Sequence, residues 1–260
     1  MTGATAGAHV DALMSEQGGD FISVVIPAKN EGENLPTVFA ELGTALAGRQ
    51  FEVILVDDGS TDETAAIVRG ERPKHPFAIT YLRHDRSTGK SLALRTGVFA
   101  ARGNLVATID GDGQNNPVHV AELVDALAAA GPGVGIAVGQ RLKRGDSDLK
   151  KYASRFANKL RRWLLEDDTT DTACGLKVLR ADVFRRLPFF EGSHRFLPAL
   201  VLIEGYGVVH RPVVDRPRLH GKSHYGIIDR GVHGALDLFG VWWFKRRRKV
   251  RPKIEGMADE

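Results

Sequence analysis

Two carboxylates separated by one residue are the most suggestive chemical feature of the sequence: Asp110 and Asp112 in the run DGDGQ. The run follows the apolar residues VATI and precedes Pro117, a pattern typical of a strand end that leads into a helix. Mg²⁺ and Mn²⁺ prefer oxygen ligands, and phosphate oxygens can complete a shell begun by two carboxylates. The spacing therefore predicts a divalent-cation site that neutralises a leaving diphosphate. An EF-hand is excluded, because Ala121 stands where that loop needs glutamate.

A second acidic cluster, DDGSTD, begins at Asp57 after another apolar run. A carboxylate at a strand end can accept hydrogen bonds from a ribose or a base edge, and we favour that use for Asp57 or Asp58. Asp62 has the spacing of a helix N-cap instead. The later segment Ser87–Ser91 (STGKS) could aim helix N–H groups at an anion or could be a plain capped loop, and the sequence leaves both readings open.

Short apolar runs alternate with amphipathic stretches in the first half of the chain. The runs predict strands at Phe21–Pro27, Phe51–Gly59, Ala78–His84, Asn104–Gly113 and Gly135–Arg141. The stretches predict helices at Asn34–Leu46, Asp62–Arg69, Lys90–Ala101 and Pro117–Ala130. Farther along, we expect a basic helix at Leu149–Leu165, a strand at Ala173–Arg180, a helix at Ala181–Leu187 and a strand at Gly207–Val214. This alternation predicts an α/β fold with a mostly parallel central sheet and helices on both faces.

Polar residues cluster where four of the predicted strands end. They are Lys29-Asn30-Glu31, Asp57-Asp58, Asp110 with Asp112, and Arg141. Ligands of parallel sheets bind beyond the carboxyl ends of the strands. Helix capping explains Asp62 but not four separate clusters, so we expect the clusters to converge on one cleft.

The bulk composition is that of an ordinary globular chain: 260 residues, 43% hydrophobic and 26% charged. Its single cysteine, Cys174, excludes an internal disulfide and suits a reducing compartment. The formal net charge of +4 arises at the C-terminal end, where seven lysines and arginines lie between Lys245 and Lys253. We expect neither a secretory signal nor a transmembrane helix, since no window holds the roughly 18 apolar residues of a span.

Four motifs together resemble those of family 2 glycosyltransferases, and more narrowly those of dolichol- and polyprenyl-phosphate sugar synthases. They are VVIPAKNEGENL, ILVDDGSTDET, TIDGDGQ and DTACGLK, and with the following basic segment they run from about Phe21 to Tyr225. The resemblance implies a GT-A, Rossmann-like fold and a nucleotide-sugar donor. It also implies Mg²⁺ or Mn²⁺ as cofactor and a polyprenyl or dolichyl phosphate as acceptor.

The resemblance further implies roles for particular residues. The nucleotide pocket would be lined by Pro27, Lys29, Asn30, Glu31 and Asp58. The metal and the diphosphate would contact Asp110, Asp112 and Gln114. The lipid phosphate would be held by Arg141 and Arg155, and the phosphates would be covered by a basic loop carrying Arg218, Lys222 and Ser223. Arginine suits this use because it can grip phosphate with two donors at once.

These roles predict direct displacement at the anomeric carbon, with inversion. A lipid phosphate is already largely anionic at neutral pH, so it needs positioning by Arg141, Arg155 and Lys222 more than a general base. Transfer to a saccharide or protein hydroxyl stays open, and it would need a base such as Asp171 or Glu166. Outside this class the alternatives are a non-catalytic nucleotide-sugar sensor and a nucleic-acid-binding protein, the latter opposed by acidic clusters that repel phosphate.

The C-terminal run LDLFGVWWF (Leu236–Phe244) is followed at once by KRRRKVRPK. Tryptophans and basic residues of this kind favour an amphipathic helix at an anionic membrane surface, although a helix packed on the domain would show the same pattern. We therefore expect a mobile leader at 1–20, a glycosyltransferase domain at 21–226 and a membrane-proximal helix with a basic tail at 227–260. The expected location is peripheral, on the cytoplasmic face of a membrane, with a small membrane subunit as a further candidate partner and no nucleic acid.

Overall fold

The computed structural model of the chain describes residues 19–142, 160–217 and 227–249, with backbone alone at 227–233. The strands are β1 (Phe21–Ala28), β2 (Gln50–Asp57), β3 (Ala78–Arg83), β4 (Leu105–Thr108), β5 (Val134–Arg141), β6 (Lys177–Arg180) and β7 (Gly207–Val213). The helices are α1 (Leu35–Ala45), α2 (Thr64–Glu71), α3 (Lys90–Ala100), α4 (Val118–Ala129), α5 (Ala181–Arg186), α6 (Leu197–Ile203) and α7 (Ile227–Arg247), and residues 160–165 are also helical.

The strands form one sheet in the order β3-β2-β1-β4-β6-β5-β7. Strand β1 pairs in parallel with β2 and β4, β2 with β3, and β5 with β7. Strand β6 runs antiparallel to both of its neighbours, β4 and β5. The mostly parallel sheet predicted from the sequence is therefore confirmed, and the carboxyl ends of all described strands except β6 meet at one edge.

Alternating side chains of β1 face two different layers. Ile22, Val24 and Ile26 pack on one face with residues of α1 and α4, whereas Val25 packs on the other face with residues of α3. A strand buried on both sides must be apolar at every position, which is why FISVVIP shows no polar alternation. This double cover holds the strand ends, and the side chains that follow them, in fixed places.

The predicted elements of the first half are found with small shifts at their ends. Strand β4 stops at Thr108, five residues before the predicted end at Gly113, because the backbone turns at the glycine-containing run that follows. Strand β6 begins at Lys177, not at Ala173, and helix α6 lies in a stretch for which the sequence predicted no element. The expected helix at Leu149–Leu165 is described only from 160 onward, and most of the expected leader lies outside the described residues.

Helix α7 packs on the domain through one of its faces. Val241 is buried and contacts a cluster that includes Leu165, Phe196 and Leu200. Helix α7 spans 21 residues, but no helix in the described part of the chain is both long and apolar enough to cross a bilayer.

Candidate active site at the carboxyl edge of the sheet

The reversed direction of β6 brings a lysine to the edge where the parallel strands end. Lys177, the first residue of β6, pairs with Thr108, the last residue of β4. Its ammonium group is buried and donates to the carbonyl oxygens of Cys174 and, at 3.5 Å, Thr172. Burial lowers the pKa of Lys177 to about 8, against the opposing effect of neighbouring acidic groups. The site therefore contains a cation that is held by the fold and only weakly solvated.

Asp110 and Asp112 lie in the turn that directly follows β4. The Asp110 N–H donates to Asn115 Oδ1 at 3.2 Å, and Asp112 Oδ1 accepts the Gln114 N–H at 3.1 Å. Gly113 has a φ of 72°, a conformation that favours glycine. Gly175 lies so close that a Cβ there would stand 2.6 Å from the Asp110 carboxyl carbon. The glycine in DTACGLK thus lets the chain before β6 pass beside the Asp110 carboxylate.

Basic groups surround the Asp110 carboxylate. Lys90, at the start of α3, forms an ion pair with Asp110 Oδ1. Burial alone would raise the pKa of Asp110, but the charges of Lys90, Lys177 and Arg141 outweigh it and hold this pKa below its ordinary value. The carboxylate therefore stays ionised at neutral pH, stabilised by the positive charges around it.

A neutral histidine completes this basic neighbourhood. His194 Nδ1 lies 2.7 Å from Ser91 Oγ, which also accepts the Gly192 N–H at 2.9 Å. With Nδ1 as acceptor of the Ser91 hydroxyl the imidazole proton is on Nε2, and with Nδ1 as donor to Ser91 Oγ it is on Nδ1. Burial, together with the charges of Lys90 and Lys177, keeps the pKa of His194 well below its usual value, so the ring is uncharged at pH 7.

Arg141, at the end of β5, is held by two carboxylates. Its Nε and Nη2 donate to the two oxygens of Asp171 at 2.5 and 2.9 Å, and its Nη1 donates to Asp215 Oδ2 at 3.2 Å. The hydrogen bonds that Arg141 donates to Asp171 raise the pKa of Arg141 further, so the guanidinium is permanently charged. Asp215 Oδ1 accepts Asn115 Nδ2 at 2.9 Å, which links Arg141 to the turn that carries Asp110. The turn that carries Asp110 and the side chain of Arg141 thus belong to one hydrogen-bonded network.

Asp58 lies at the same edge, but its carboxylate is occupied by the protein. It accepts hydrogen bonds from Thr88 N–H at 2.8 Å, Gly89 N–H at 2.9 Å and Ser87 Oγ at 2.7 Å, and His84 Nδ1 lies 2.9 Å away. Burial opposes ionisation, yet these hydrogen bonds outweigh it and hold the pKa of Asp58 well below its usual range. The anion that the STGKS segment binds in this structure is therefore Asp58 itself.

The predicted residues after β1 lie beside this turn. Asn30 adopts a positive φ of 56°, its N–H donates to Ser60 Oγ at 2.9 Å, and its Oδ1 accepts the Thr61 N–H at 2.8 Å. Glu31 accepts Asn34 Nδ2 at 2.6 Å, Pro27 is half-buried and Lys29 is exposed. Asn30 thus ties the loop after β1 to the loop after β2, and it shapes the wall of the cleft. Asp62 Oδ1 accepts the Thr64 N–H at 3.1 Å, but the N-cap position of α2 is occupied by Glu63, one residue later than predicted.

Four predicted residues, Arg155, Arg218, Lys222 and Ser223, lie outside the described residues. Conversely, sequence reasoning assigned no role to Lys90, Lys177, His194, Asn115 or Asp215. A lysine inside the apolar run ACGLKVLR was a usable signal for Lys177, since a charge in a buried strand needs a reason. His194 had no local signal, because it reaches Ser91 from 103 residues farther along the chain.

A separate hollow of about 590 Å³ lies at the opposite edge, where β1 and β2 begin. Its walls are mostly apolar and include Phe21, Leu46, Phe51 and Phe77. Its lining includes Arg49 but, among the described residues, no carboxylate, so it does not compete as a site for a metal ion with a diphosphate.

Comparison with known proteins agrees with this arrangement. The family model of glycosyl transferase family 2 matches residues 23–187. A dodecaprenyl-phosphate galacturonate synthase from Rhizobium johnstonii is 33% identical over 236 residues, which cover 89% of this chain and 69% of the relative. An undecaprenyl-phosphate 4-deoxy-4-formamido-L-arabinose transferase from Edwardsiella ictaluri is 31% identical, with 80% and 64% covered. The chain thus spans about two thirds of the length of these relatives.

Solved structures share the fold at lower identity. Glucosyl-3-phosphoglycerate synthase from Mycobacterium tuberculosis, in complex with Mn²⁺, UDP and glucosyl-3-phosphoglycerate, superposes with a TM-score of 0.64 at 19% identity, covering 91% of this chain and 83% of that one. A mannosyltransferase from Pyrobaculum calidifontis, in complex with GDP-Man and Mn²⁺, gives 0.63 at 20% identity, covering 91% and 67%. The GT-A fold class and the family resemblance predicted from the motifs are confirmed: this chain belongs to glycosyl transferase family 2.

Proposed function

We propose that this protein transfers a sugar from a nucleotide-sugar to a polyprenyl or dolichyl phosphate, with inversion at the anomeric carbon. The observation that carries the proposal is the network at the carboxyl edge, where the backbone N–H of Asp110 is linked through Asn115 and Asp215 to Arg141, with Asp112 two residues along the same turn. Asp110 and Asp112 form an acidic pole, which suits a cation with a diphosphate. Arg141 forms a basic pole, which suits a phosphate acceptor. The two relatives named above act, by their names, on polyprenyl phosphates.

The acidic pole fits Mg²⁺ or Mn²⁺. In the described residues no group of three histidine, cysteine or acidic side chains could hold a metal ion, so a fully protein-built metal cage is not found there. A catalytic Mg²⁺ characteristically uses one or two carboxylates and takes its other ligands from phosphates and water. Asp110 and Asp112, with the Gln114 amide beside them, match that pattern, and a bound cation would supply charge neutralisation for the departing diphosphate.

The ammonium of Lys90 neutralises the Asp110 carboxylate in the structure. We propose that a cation takes over Asp110 and that the Lys90 ammonium then contacts the donor diphosphate. Lys177 stays in place beneath the turn, because its ammonium is anchored by backbone carbonyls. Lys29, Asn30, Glu31 and Pro27 would then form the nucleotide wall, with Asp58 holding that wall in shape.

At the basic pole, Arg141 would orient the lipid phosphate. The contact with Asp215 is the weaker of its two ion pairs, at 3.2 Å, and we propose that the phosphate replaces it while Asp171 keeps the guanidinium in position. A phosphate oxygen attacks the anomeric carbon as the bond to the nucleoside diphosphate breaks, and no proton has to be removed. Arg155, Arg218, Lys222 and Ser223 remain predicted contributors from segments outside the described residues.

Two observations oppose a hydroxyl acceptor. Both carboxylate oxygens of Asp171 are bound by Arg141, which leaves it a poor general base. Glu166, the other candidate base, is exposed and pairs with Lys245 of α7 instead. The residues available at the site therefore favour an acceptor that is already ionised.

We also propose that the protein works peripherally at the cytoplasmic face of a membrane, where its single cysteine would stay reduced. The outward face of α7 carries Leu236, Phe239 and Trp243, which are between 53% and 64% exposed and lie at helical spacing. Lys245, Arg246 and Arg247 follow directly in the last turn. Such a face is suited to an anionic lipid surface, and a small membrane subunit is an alternative occupant.

Vesicle flotation tests the lipid surface. Changing both Phe239 and Trp243 to serine should remove most binding to anionic vesicles, because both side chains leave the apolar face. Phe99→Ser is the matched control, since Phe99 is 57% exposed and belongs to α3, not to α7. Full binding by the double variant, or equal loss in the control, would refute the lipid-facing role of α7.

Partition of labelled sugar tests the reaction. The wild-type protein, Mn²⁺ and a labelled nucleotide-sugar are incubated with polyprenyl phosphate in one arm and with the free polyprenol in the other. We expect label to enter the organic phase only in the phosphate arm. Transfer to polyprenol alone, or only to water-soluble saccharides, would replace the proposed acceptor with a hydroxyl.

A further inference from the structure

Arg216 connects the segment after β7 to the turn that carries Asp110 and Asp112. Its Nε donates to the Gly113 carbonyl oxygen at 2.7 Å, and its backbone N–H donates to the Gln114 carbonyl oxygen at 2.9 Å. Gly113 and Gln114 are the last two residues of the DGDGQ run. The two carbonyl groups of this turn nearest Asp112 on its C-terminal side are therefore both bound by a single residue.

The turn needs such support because of its composition. Gly111 and Gly113 have no side chains to restrict their backbones, and Gly113 adopts a positive φ of 72°. A turn with two glycines loses more conformational entropy on ordering than one built from other residues. Two carboxylates that must meet one cation therefore depend on contacts from elsewhere in the fold.

The guanidinium of Arg216 is itself held in place. Its Nη1 donates to Glu41 Oε1 at 2.7 Å and its Nη2 pairs with the other oxygen, so the carboxylate is gripped at two points. Glu41 belongs to α1, which packs in the main core. The hydrogen bonds to Glu41 raise the pKa of Arg216, so its guanidinium stays charged over the physiological range. Arg216 thus bridges a fixed helix and the backbone of the turn.

Neighbouring contacts give the segment a single register. Asn115 and Asp215 form an isolated antiparallel bridge, and the Val214 N–H donates to His119 Nε2 at 3.1 Å. These contacts place Arg216 opposite Gly113 and Gln114. In the described residues, the hydrogen bonds of Arg216 go to the backbone carbonyls of Gly113 and Gln114 and to Glu41.

We propose that Arg216 is a positioning residue that fixes the backbone of the Asp110–Gln114 turn, with Glu41 as its anchor, so that the two carboxylates can bind one divalent cation. The inference rests on the metal role proposed above. It assigns Arg216 no contact with substrate. Lysine cannot replace it fully, because one ammonium cannot reproduce the planar fork that meets Glu41 and a carbonyl oxygen together.

The test compares Arg216→Gln with Arg49→Gln. Arg49 also forms a partly exposed ion pair, with Asp125 at 2.9 Å, and it follows α1 at the opposite edge of the sheet. Arg216→Gln keeps the backbone hydrogen bond to Gln114 and loses only the guanidinium contacts. We expect Mn²⁺ binding, followed by the paramagnetic resonance of free Mn²⁺ in the presence of UDP or GDP, to weaken about tenfold in Arg216→Gln and to stay at the wild-type level in Arg49→Gln. Arg216→Lys should bind with intermediate affinity.

Hydrogen exchange supplies a readout that does not depend on metal. Amides at 109–116 should exchange several-fold faster in Arg216→Gln than in Arg49→Gln. Glu41→Gln should show the same change to a smaller degree, which keeps the test valid if Arg216→Gln folds poorly. Unchanged exchange in both Arg216→Gln and Glu41→Gln would overturn the inference. Faster exchange with unchanged Mn²⁺ affinity would also overturn it, because the contact would then serve stability alone. If the wild-type protein binds no Mn²⁺, the proposed metal role fails, and the exchange data still judge the contact itself.

Discussion

Two strand ends of the sheet present aspartates, and their carboxylates are held in different ways. Asp58, after β2, is surrounded by N–H and O–H donors from the Ser87–Gly89 turn and from His84. Asp110, after β4, is met by the ammonium of Lys90. The first carboxylate is fixed by short contacts that a ligand would have to break. The second is balanced by a flexible cation that can move away.

The difference teaches how to separate a structural carboxylate from one that is available for chemistry. Both aspartates follow apolar strands, and both carry a depressed pKa. The causes differ, since hydrogen bonds from backbone and side chains hold Asp58 ionised while lysine and arginine charges hold Asp110 ionised. Backbone donors cannot be exchanged for a ligand without refolding the turn, whereas a lysine side chain can reorient.

The substitution Asp112→Asn tests the role of the acidic turn after β4 and has the largest expected effect. Asparagine keeps an Oδ1 that can accept the Gln114 N–H, so the turn should survive and the melting temperature should change little. Loss of one carboxylate from the cation site should lower the rate of sugar transfer on the order of 10³-fold. Initial rates at saturating Mn²⁺ measure the loss of transfer activity, and thermal melting measures whether the fold is retained. A variant with the wild-type rate would place the metal elsewhere.

The substitution Asp58→Asn tests whether the carboxylate after β2 stabilises the fold. The new amide group would face the Gly89 N–H and the Ser87 hydroxyl, so a buried acceptor becomes a donor and we expect a loss of about 3 kcal/mol in the free energy of unfolding. The folded-state pKa of Asp58 is depressed, so its contribution is present above the ordinary aspartate pKa and is lost as the pH falls below it. Urea unfolding at pH 7 and at pH 3 measures this.

The exposed Asp125, which pairs with Arg49, provides the matched control for Asp58. Asp125→Asn should cost no more than about 1 kcal/mol, because surface ion pairs contribute little. Equal costs for the two variants would show that Asp58 is not the anchor of its turn.

Lys177 gives a smaller effect that depends on pH. Its folded-state pKa is about 8, below the ordinary value of 10.5, so the unfolded chain binds the extra proton between these values. The contribution of Lys177 to the free energy of unfolding therefore rises as the pH increases from about 8 to 10.5. Relative to Lys177→Met, the wild-type protein should gain on the order of 2 kcal/mol between pH 7.5 and pH 10, as measured by urea unfolding. If the free energies of unfolding of the wild-type protein and Lys177→Met changed in parallel with pH, Lys177 would be better solvated than its burial indicates.

Much of the architecture was predictable because the sequence pattern is local. Strands β1 to β5 and helices α1 to α4 follow apolar runs whose length and periodicity identify them, and the acids after β2 and β4 were placed at the correct edge. The reversed direction of β6 was not predictable, since it depends on how a short strand pairs with β4 and β5. That reversal brings Lys177 into the site.

The uses of the site residues were harder to predict than their positions. Asp58 was expected to contact the nucleotide, and its occupation by the Ser87–Gly89 turn depends on a loop 30 residues away. Arg141 was expected to bind phosphate, and its pairing with Asp171 and Asp215 arises from segments that meet only in the folded chain. Which hydrogen-bond partners a charged group finds within the protein depends on tertiary contacts, and residue types and spacing do not reveal them.

Uptake of Mn²⁺ in the presence of UDP or GDP tests the central claim most directly, with the resonance of free Mn²⁺ as the signal. The account predicts that wild-type protein and folded Asp58→Asn both remove Mn²⁺ from solution, and that Asp112→Asn does not. Equal uptake by Asp112→Asn, or loss of uptake in a folded Asp58→Asn variant, would contradict the assignment of the two acidic strand ends.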